Sequence, residues 1–469
     1  MGKILLIAAI LMFPPIIISA ASGASDLVAL LLSALVTAGI GGLLLLIKPK
    51  NTAIFAKEGF VIVALAWVLM SLLGALPFLF GGVFTSYIDA AFETASGFTT
   101  TGATVCLDIS GIPHGIGFWR CFIIFIGGMG VLVFVMAVLP LSKERSMHIM
   151  RAEVPGPSVG KLVAKAKNTA IILYAIYFML MLTEAIMLLF GGMSFYEAFT
   201  TAMSTAGTGG FMVLDAGMIG QSPYLQTVAT VFMLIFAINF NLYFYILLRK
   251  VGVALKNEEL HWFLGIYLAA TLIITLNARS SFGSFSEAFH HAAFNTASII
   301  STTGFAISDF DAWPWLSKTI LVFVMFIGAC AGSTGGGIKV VRALFACKII
   351  RRGVRRAIHP QEVRMIHMDG EAVGEETVDS VSAFLLVYVM LFVGAVLLLS
   401  LDHLDFTTTF SAVAACLNNI GPALGKAGPM LNYNCFSDFG KILLSFAMLF
   451  GRLEVYPMLV LFVPAAWKK

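Results

Sequence analysis

The stretch FETASGFTTTG, residues 92–102, decides how the chain is read, because it recurs three more times. FTTAMSTAGTG spans 199–209, FNTASIISTTG spans 294–304, and the most diverged copy, SAVAACLNNIG, spans 411–421. Aligned on their last glycines, all four carry alanine seven positions earlier: Ala95, Ala202, Ala297 and Ala414. Thr101, Thr208 and Thr303 precede that glycine in three copies, and Ile420 takes the place in the fourth. The glycines stand 107, 95 and 117 residues apart. One sharp motif per unit at so long a spacing marks duplicated modules rather than a local accident.

A Thr/Gly segment in extended form can turn its backbone carbonyls toward an axis, and glycine permits the backbone angles this needs. Each copy follows a short helix-compatible run such as 88–98, whose negative dipole end would face the same axis. Four such units would build a ring of carbonyls able to replace the hydration shell of a monovalent cation, K⁺ above all. The competing reading is that small residues here merely let helices pack closely. Four copies in register favour the ring.

Working outward, the composition fixes the class. Charged residues are 12% and hydrophobic ones 59% of the chain, whereas a typical soluble domain is about 25% charged. Several apolar runs reach the roughly 20 residues needed to cross a bilayer. The chain is expected to be an all-α polytopic membrane protein. Its six cysteines (106, 121, 330, 347, 416 and 435) show no CxxC, so they read as small buried hydrophobes rather than a disulfide framework or zinc site. No HExxH, GxSxG or paired intramembrane aspartates occur, so no enzyme is expected. Neither an organic cofactor nor nucleic acid is called for.

Apolar segments at 4–20 and 28–47 precede the first module. Outer and inner helices then flank each loop: 59–80 and 117–140 around 88–104; 169–190 and 225–248 around 195–211; 262–277 and 316–350 around 285–305; 380–401 and 439–464 around 406–422. Ten spanning segments and four re-entrant loops follow, organised as a helix pair (1–58) and four modules (59–150, 151–256, 257–378, 379–469). Irregular backbone at membrane depth is tolerated only where it lines a cavity or is buried in protein.

Charge supports this topology. Of 29 basic residues, 21 fall at Lys3 or within 48–57, 143–167, 249–256, 348–364 and 468–469, and the segments near 21–27 and 191–223 have none. The positive-inside rule then puts both termini in the cytosol and all four loops outside, as parallel repeats require. The stretch 347–378 runs from CKIIRRGVRRAIHP to DGEAVGEE and is either headgroup-facing or a docking surface. RAEVPGP, 151–157, reads as a rigid turn. Pro14-Pro15 and the small residues SAASGAS leave a cleaved signal sequence as an alternative to a retained first helix.

SGFTTTGAT (96–104), SIISTTGF (298–305), ACLNNIGP (415–422) and GACAGSTGGGIK (328–339) together resemble the Trk/Ktr superfamily of bacterial K⁺ transporters, in its TrkH-type membrane subunits, along nearly the whole chain. The resemblance implies four helix–pore loop–helix modules around one pseudo-fourfold pore. It also implies K⁺ as the transported ion, the bacterial cytoplasmic membrane with its lipid, a homodimer, and a separate cytosolic nucleotide-binding (TrkA-like) regulatory subunit. Relatives of this type carry an extra N-terminal helix pair, which favours retention of the first helix. The candidate coordinating carbonyls belong to Thr100, Thr101 and Gly102; Gly207, Thr208 and Gly209; Thr302, Thr303 and Gly304; and Asn419, Ile420 and Gly421. Within the superfamily, serine at the first selectivity position goes with Na⁺ and glycine in all four with K⁺. Gly102, Gly209, Gly304 and Gly421 complete the glycine set. Gly207, Asn419 and Ile420 depart from threonine and suggest a less symmetric filter.

Two further places draw attention. Gly332, Ser333, Thr334, Gly335, Gly336 and Gly337 cannot hold a continuous helix in lipid, since each glycine costs about 1 kcal/mol relative to alanine. The resemblance makes this run an intramembrane loop obstructing the pore, the alternative being a kink for close helix contact. The spacing of a phosphate-binding loop is absent. Arg452 lies in the apolar run LFGRLEVYPMLVLF, where a charge left in lipid would cost several kcal/mol. Glu454, two residues on, points elsewhere on a helix. The resemblance turns Arg452 toward the pore; the alternative is an ion pair with another helix, with Glu184 as partner. Asn239 and Asn241 read as glue between helices. His290, His291 and His403 are expected at the outer mouth, with Asp89, Asp309, Asp311, Asp402 and Asp405 as loop residues or as concentrators of cations. A symporter coupled to H⁺ or Na⁺ is the alternative mechanism. It needs a second intramembrane site, for which only Glu184 and Glu454 offer carboxylates.

Overall fold

The computed structural model describes residues 1–47, 56–130, 166–361 and 365–467. Among them, six helices are long and apolar enough to cross a bilayer unaided: Gly2–Ser22, Leu27–Leu46, Lys57–Phe80, Ile171–Phe190, Glu258–Ser281 and Glu375–Asp402. These are the N-terminal pair and the outer helix of each module. The pair packs closely, Gly2 approaching the backbone of Gly41, and Asp26 between the two accepts a 2.8 Å bond from the amide of Ile116 in module one.

After each outer helix the chain re-enters through a short helix: Tyr87–Phe98, Phe195–Gly207, Phe285–Ile300 and Phe406–Leu417. Each starts on a polar N-cap that accepts from the first turn: Ser86, Ser194, Ser284 and Asp405. Ser194 and Glu197 form a full capping box, which satisfies two otherwise orphaned amides. Small side chains such as Ala95, Ala202, Ala297 and Ala414 let the C-terminal halves of these helices bury themselves in the protein, while the first turns, with Phe195, Phe285 and Phe406, stay exposed.

The inner helices depart from expectation. Continuous helices over 117–140, 225–248 and 439–464 were expected, with a break only in the third module. Instead His114–Met129, Pro223–Ala237, Trp315–Ile327 and Asp438–Arg452 run 16, 15, 13 and 15 residues and then stop. At 1.5 Å per residue these reach about 20–24 Å, short of the roughly 30 Å hydrocarbon layer. In module two Ile238 is extended and Asn239 caps the next helix, Phe240–Leu247, which turns by 90°. In module four Glu454 and Val455 take φ of 55° and 68° before Tyr456–Phe462. In module one Gly130 ends the helix at φ 79°, and the stretch 131–165, including the turn at 151–157, lies outside the described residues. So do the basic residues at 48–50, Arg364, Lys468 and Lys469.

In module three the second half of the inner helix, Val340–Ile358, carries the basic run. A β-hairpin follows, Ile366–Met368 paired antiparallel with Glu371–Val373. Asp369 and Gly370, at φ 52° and 85°, form its tight turn, as a two-residue Asp-Gly hairpin requires. The helical expectation did not include this hairpin.

Candidate ion site

Each re-entrant helix ends in the same backbone device. Amides of Thr101, Gly209, Thr303 and Ile420 reach back five residues to carbonyls of Ser96, Ser204, Ser298 and Ala415, at 2.8, 3.0, 2.9 and 2.9 Å. The preceding residues, Thr100, Thr208, Thr302 and Asn419, are left-handed with φ of 56°, 54°, 59° and 55°. The next glycines, Gly102, Gly210, Gly304 and Gly421, have φ of 79°, 66°, 84° and 95°. This is a helix C-terminus closed by a left-handed residue and a long return bond.

That equivalence corrects the register of the second copy. Gly210, not Gly209, matches Gly102, Gly304 and Gly421, so the triple there is Thr208, Gly209 and Gly210 in place of Gly207, Thr208 and Gly209. Gly207 belongs to the last turn of the helix, packed where an added Cβ would overlap the carbonyl of Ile124. Met203, rather than Ala202, then stands opposite Ala95. The threonine expected before the glycine is absent in this copy, and Gly209 takes its place.

The four turns close on one another. A Cβ placed on Gly102 would overlap the carbonyl oxygen of Gly209, one on Gly210 that of Thr303, and one on Gly304 that of Ile420. A Cβ on Gly421 would stand 2.6 Å from the carbonyl oxygen of Thr101, back in the first module. Every segment therefore abuts the next around a closed ring, and only glycine fits at the four junctions. Asn419 adds a strut between modules, its Nδ2 donating to Thr101 Oγ1 at 3.0 Å and to Met448 O at 2.9 Å. All four ring glycines line one outer cavity of about 350 Å³.

An ion pair that sequence reading missed braces this outer face. Glu93 and Arg120 are both buried and meet at 2.7 Å. Arg120 also donates to Met212 O at 2.9 Å and to Thr104 Oγ1 at 3.2 Å, and lies 3.7 Å over the ring of Phe211. Glu93 accepts from Val105 N at 3.0 Å. The pair thus fastens the chain leaving the first turn to the chain leaving the second.

Beneath the ring lies the Gly-rich loop between Ile327 and Val340. Gly328, Gly332 and Gly337 adopt φ of 71°, 71° and 82°. Gly336 N donates to Thr302 Oγ1 at 2.6 Å, and Gly335 sits against the carbonyl of Ser301. Phe240 N donates to Gly332 O at 3.0 Å, Ser333 Oγ to Cys330 O at 2.6 Å, and Thr334 Oγ1 to Phe236 O at 3.2 Å. Lys339, buried at φ 82°, returns its ammonium to Gly335 O.

Arg452 joins that loop to module one. It donates to Thr334 O at 2.8 Å, to Gly128 O at 2.8 Å and to Gly127 O. Glu454 pairs instead with Arg342 at 2.6 Å. The alternative pairing of Arg452 with Glu184 is not formed: Glu184 is fully buried beside Thr205, with neither carboxylate oxygen hydrogen-bonded. Asn239 faces Gly332 across the break in module two.

The acidic residues named from sequence are committed elsewhere. Asp89 pairs with Lys441 at 2.5 Å and Asp311 with Lys318 at 3.6 Å. Asp309 and Asp405 cap local turns, and Asp402 accepts from Ser437 N at 2.9 Å. None of the five lines the outer cavity; Asp215, which sequence reading passed over, does. Hydrogen bonds from the Ser110 hydroxyl first, then from the amides of Ile109 and Ser110, hold its carboxyl below the usual carboxylate range. His290 bonds Gln226 at 2.7 Å, His291 stacks on Phe282, and His403 is exposed.

A family model described as TrkH, a cation transport protein, matches residues 31–469. The Trk system potassium uptake protein TrkH of Salmonella typhimurium is 36% identical over 420 residues, 88% of this chain and 86% of that protein. Its counterpart in Halomonas elongata is 36% identical over an alignment of 480 residues, covering 100% of this chain and 98% of that one. The crystal structure of the potassium transporter TrkH from Vibrio parahaemolyticus aligns with a TM-score of 0.88 at 33% identity, covering 100% of this chain and 98% of that one.

Proposed function

The chain belongs to the TrkH family of cation transport proteins, which carry ions and are not enzymes, and on that premise we propose that it takes up K⁺ through the ring of four turns. The closed ring carries this reading: four segments with one backbone geometry, glycine at every junction, an outer cavity above and the negative ends of four helices behind. A dehydrated K⁺ would exchange water for main-chain oxygens of the residues around Gly102, Gly210, Gly304 and Gly421. Helix C-termini add negative potential there.

The ion then meets the loop of Gly332, Ser333, Thr334, Gly335, Gly336 and Gly337, held from below by Arg452. We read that loop as the gate, and the Arg452 guanidinium as a positive charge that opposes cation passage while the loop is seated. The divisions at 58/59, 150/151, 256/257 and 378/379, the bacterial inner membrane with both termini cytosolic, a homodimer and a TrkA-like nucleotide-binding subunit belong to the same reading.

Coupled symport has one observation in its favour, the unbonded buried carboxyl of Glu184. Glu454 offers less, being paired with Arg342. ⁸⁶Rb⁺ flux and current in reconstituted membranes under voltage clamp separate the two. Reversal at the K⁺ equilibrium potential, indifferent to pH and Na⁺, is expected for the pore; a reversal that shifts with either gradient would establish coupling and overturn it.

A further inference from the structure

One side chain anchors the Gly-rich loop at both ends. Glu259, the second residue of the outer helix Glu258–Ala278, is 4% exposed. Its Oε1 accepts from Ala331 N at 2.7 Å and from Val341 N at 3.1 Å. Ala331 stands at the start of the small-residue run. Val341 lies in the first turn of Val340–Ile358, where amides have no partner within their own helix. A single carboxyl oxygen therefore ties the residue just before the run 332–337 to the first turn of the helix that follows the loop. Two buried amides would lose their partner together if it were removed.

The helix end that carries Glu259 is itself held from the cytosolic side. Asp369, exposed at the tip of the β-hairpin, accepts from Asn257 Nδ2 at 3.0 Å and from Glu258 N at 2.6 Å. Lys348, on the helix that follows the loop, meets Glu258 at 2.6 Å and donates to His367 O at 2.8 Å. Hairpin, helix end and loop thus form one connected set of bonds. A displacement of the hairpin would uncap Glu258, shift the first helical turn and carry the Glu259 carboxylate with it.

We propose that Glu259 is a positioning residue for the gate, a latch that keeps the loop seated, and that the hairpin 366–373 seats the latch. The proposal rests on reading the loop as the obstruction. Flux of ⁸⁶Rb⁺ from proteoliposomes holding the full-length protein tests it, with Arg452→Ala reporting separately on the gate. Glu259→Ala should raise basal flux about fivefold, Glu259→Gln should stay within about twofold because its amide oxygen still accepts, and Asp369→Ala should raise flux about twofold, the expected consequence of lost hydrogen bonds rather than lost fold. The K⁺/Na⁺ ratio should not change in any of them.

Wild-type or reduced flux in Glu259→Ala, while Arg452→Ala leaks, would reject the latch and leave the gate standing. Wild-type flux in both would remove the gate and the latch with it. A leak in Glu259→Gln equal to that of Glu259→Ala would reject the two-amide anchor. Should Glu259→Ala not yield a monodisperse protein, the exposed Asp369→Ala decides, and unchanged flux there overturns the proposal.

Discussion

The ring and the level just below it are built on opposite principles. In the ring, four different sequences adopt one backbone: left-handed φ of 54–59° at Thr100, Thr208, Thr302 and Asn419, then a glycine at positive φ. Below it, four inner helices break at a similar length but each in its own way: at Gly130, at a right-angle bend after Ala237, at a twelve-residue loop from Gly328 to Lys339, and at Glu454–Val455. Recognising a spherical ion needs equivalent oxygens around an axis. Opening and closing needs an element that can move alone. The fold keeps symmetry where the ion would be recognised and discards it where the passage would be gated.

Breaking the brace of the ring should have the largest effect. Arg120→Ala leaves Glu93 buried and unpaired, which is expected to cost about 3–5 kcal/mol, read as a lower unfolding midpoint in detergent and loss of uptake. Next comes the register. Gly210→Ser puts a Cβ into the carbonyl of Thr303 at φ 66°, and should lower the K⁺/Na⁺ flux ratio about tenfold, given the left-handed penalty of about 1–2 kcal/mol. Gly209→Ser meets only the side chain of Ile124 and should disturb the ratio much less; the reverse order would restore the register read from sequence.

Arg452→Ala sharpens the contrast from below. Basal ⁸⁶Rb⁺ flux should rise several-fold with the K⁺/Na⁺ ratio unchanged, because the arginine holds the loop and not the ring. A changed ratio would mean that the two levels are not separate. The smallest effect is expected at the outer cavity, where Asp215→Asn should reduce uptake at low external K⁺ by about twofold at low ionic strength, less with added salt. The Asp215 carboxyl is held below the usual range, so its contribution should persist at neutral and mildly acidic external pH. It should fade only as pH falls through that lowered value.

Much of the ring was legible because its conformation demands glycine at fixed places and repetition exposes the demand. The slip in copy two arose because Gly207, Gly209 and Gly210 offer three glycines within four residues. The Gly-Phe pair shared by Gly210-Phe211 and Gly304-Phe305 would have set it right. At the lower level, the small-residue run announced one break. The breaks in AINFNLYF and RLEVYP went unread because their polar residues suggested other roles, Asn239 and Asn241 as contacts between helices and Arg452 as a pore charge, rather than an end of the helix. Glu93 and Arg120 stand far apart in sequence and meet only through the fold. Two charges inside membrane-embedded stretches were the available signal. Glu259 gave none, because a glutamate at the head of a helix is ordinary until its partners are known.

Density for Rb⁺, located by its anomalous signal in a structure of the protein grown in RbCl, is the most direct test. Ion density is expected on the axis within the ring formed around Gly102, Gly210, Gly304 and Gly421. An empty ring or a lipid chain there, with Rb⁺ bound elsewhere in the same crystals, would contradict the proposed site of selection.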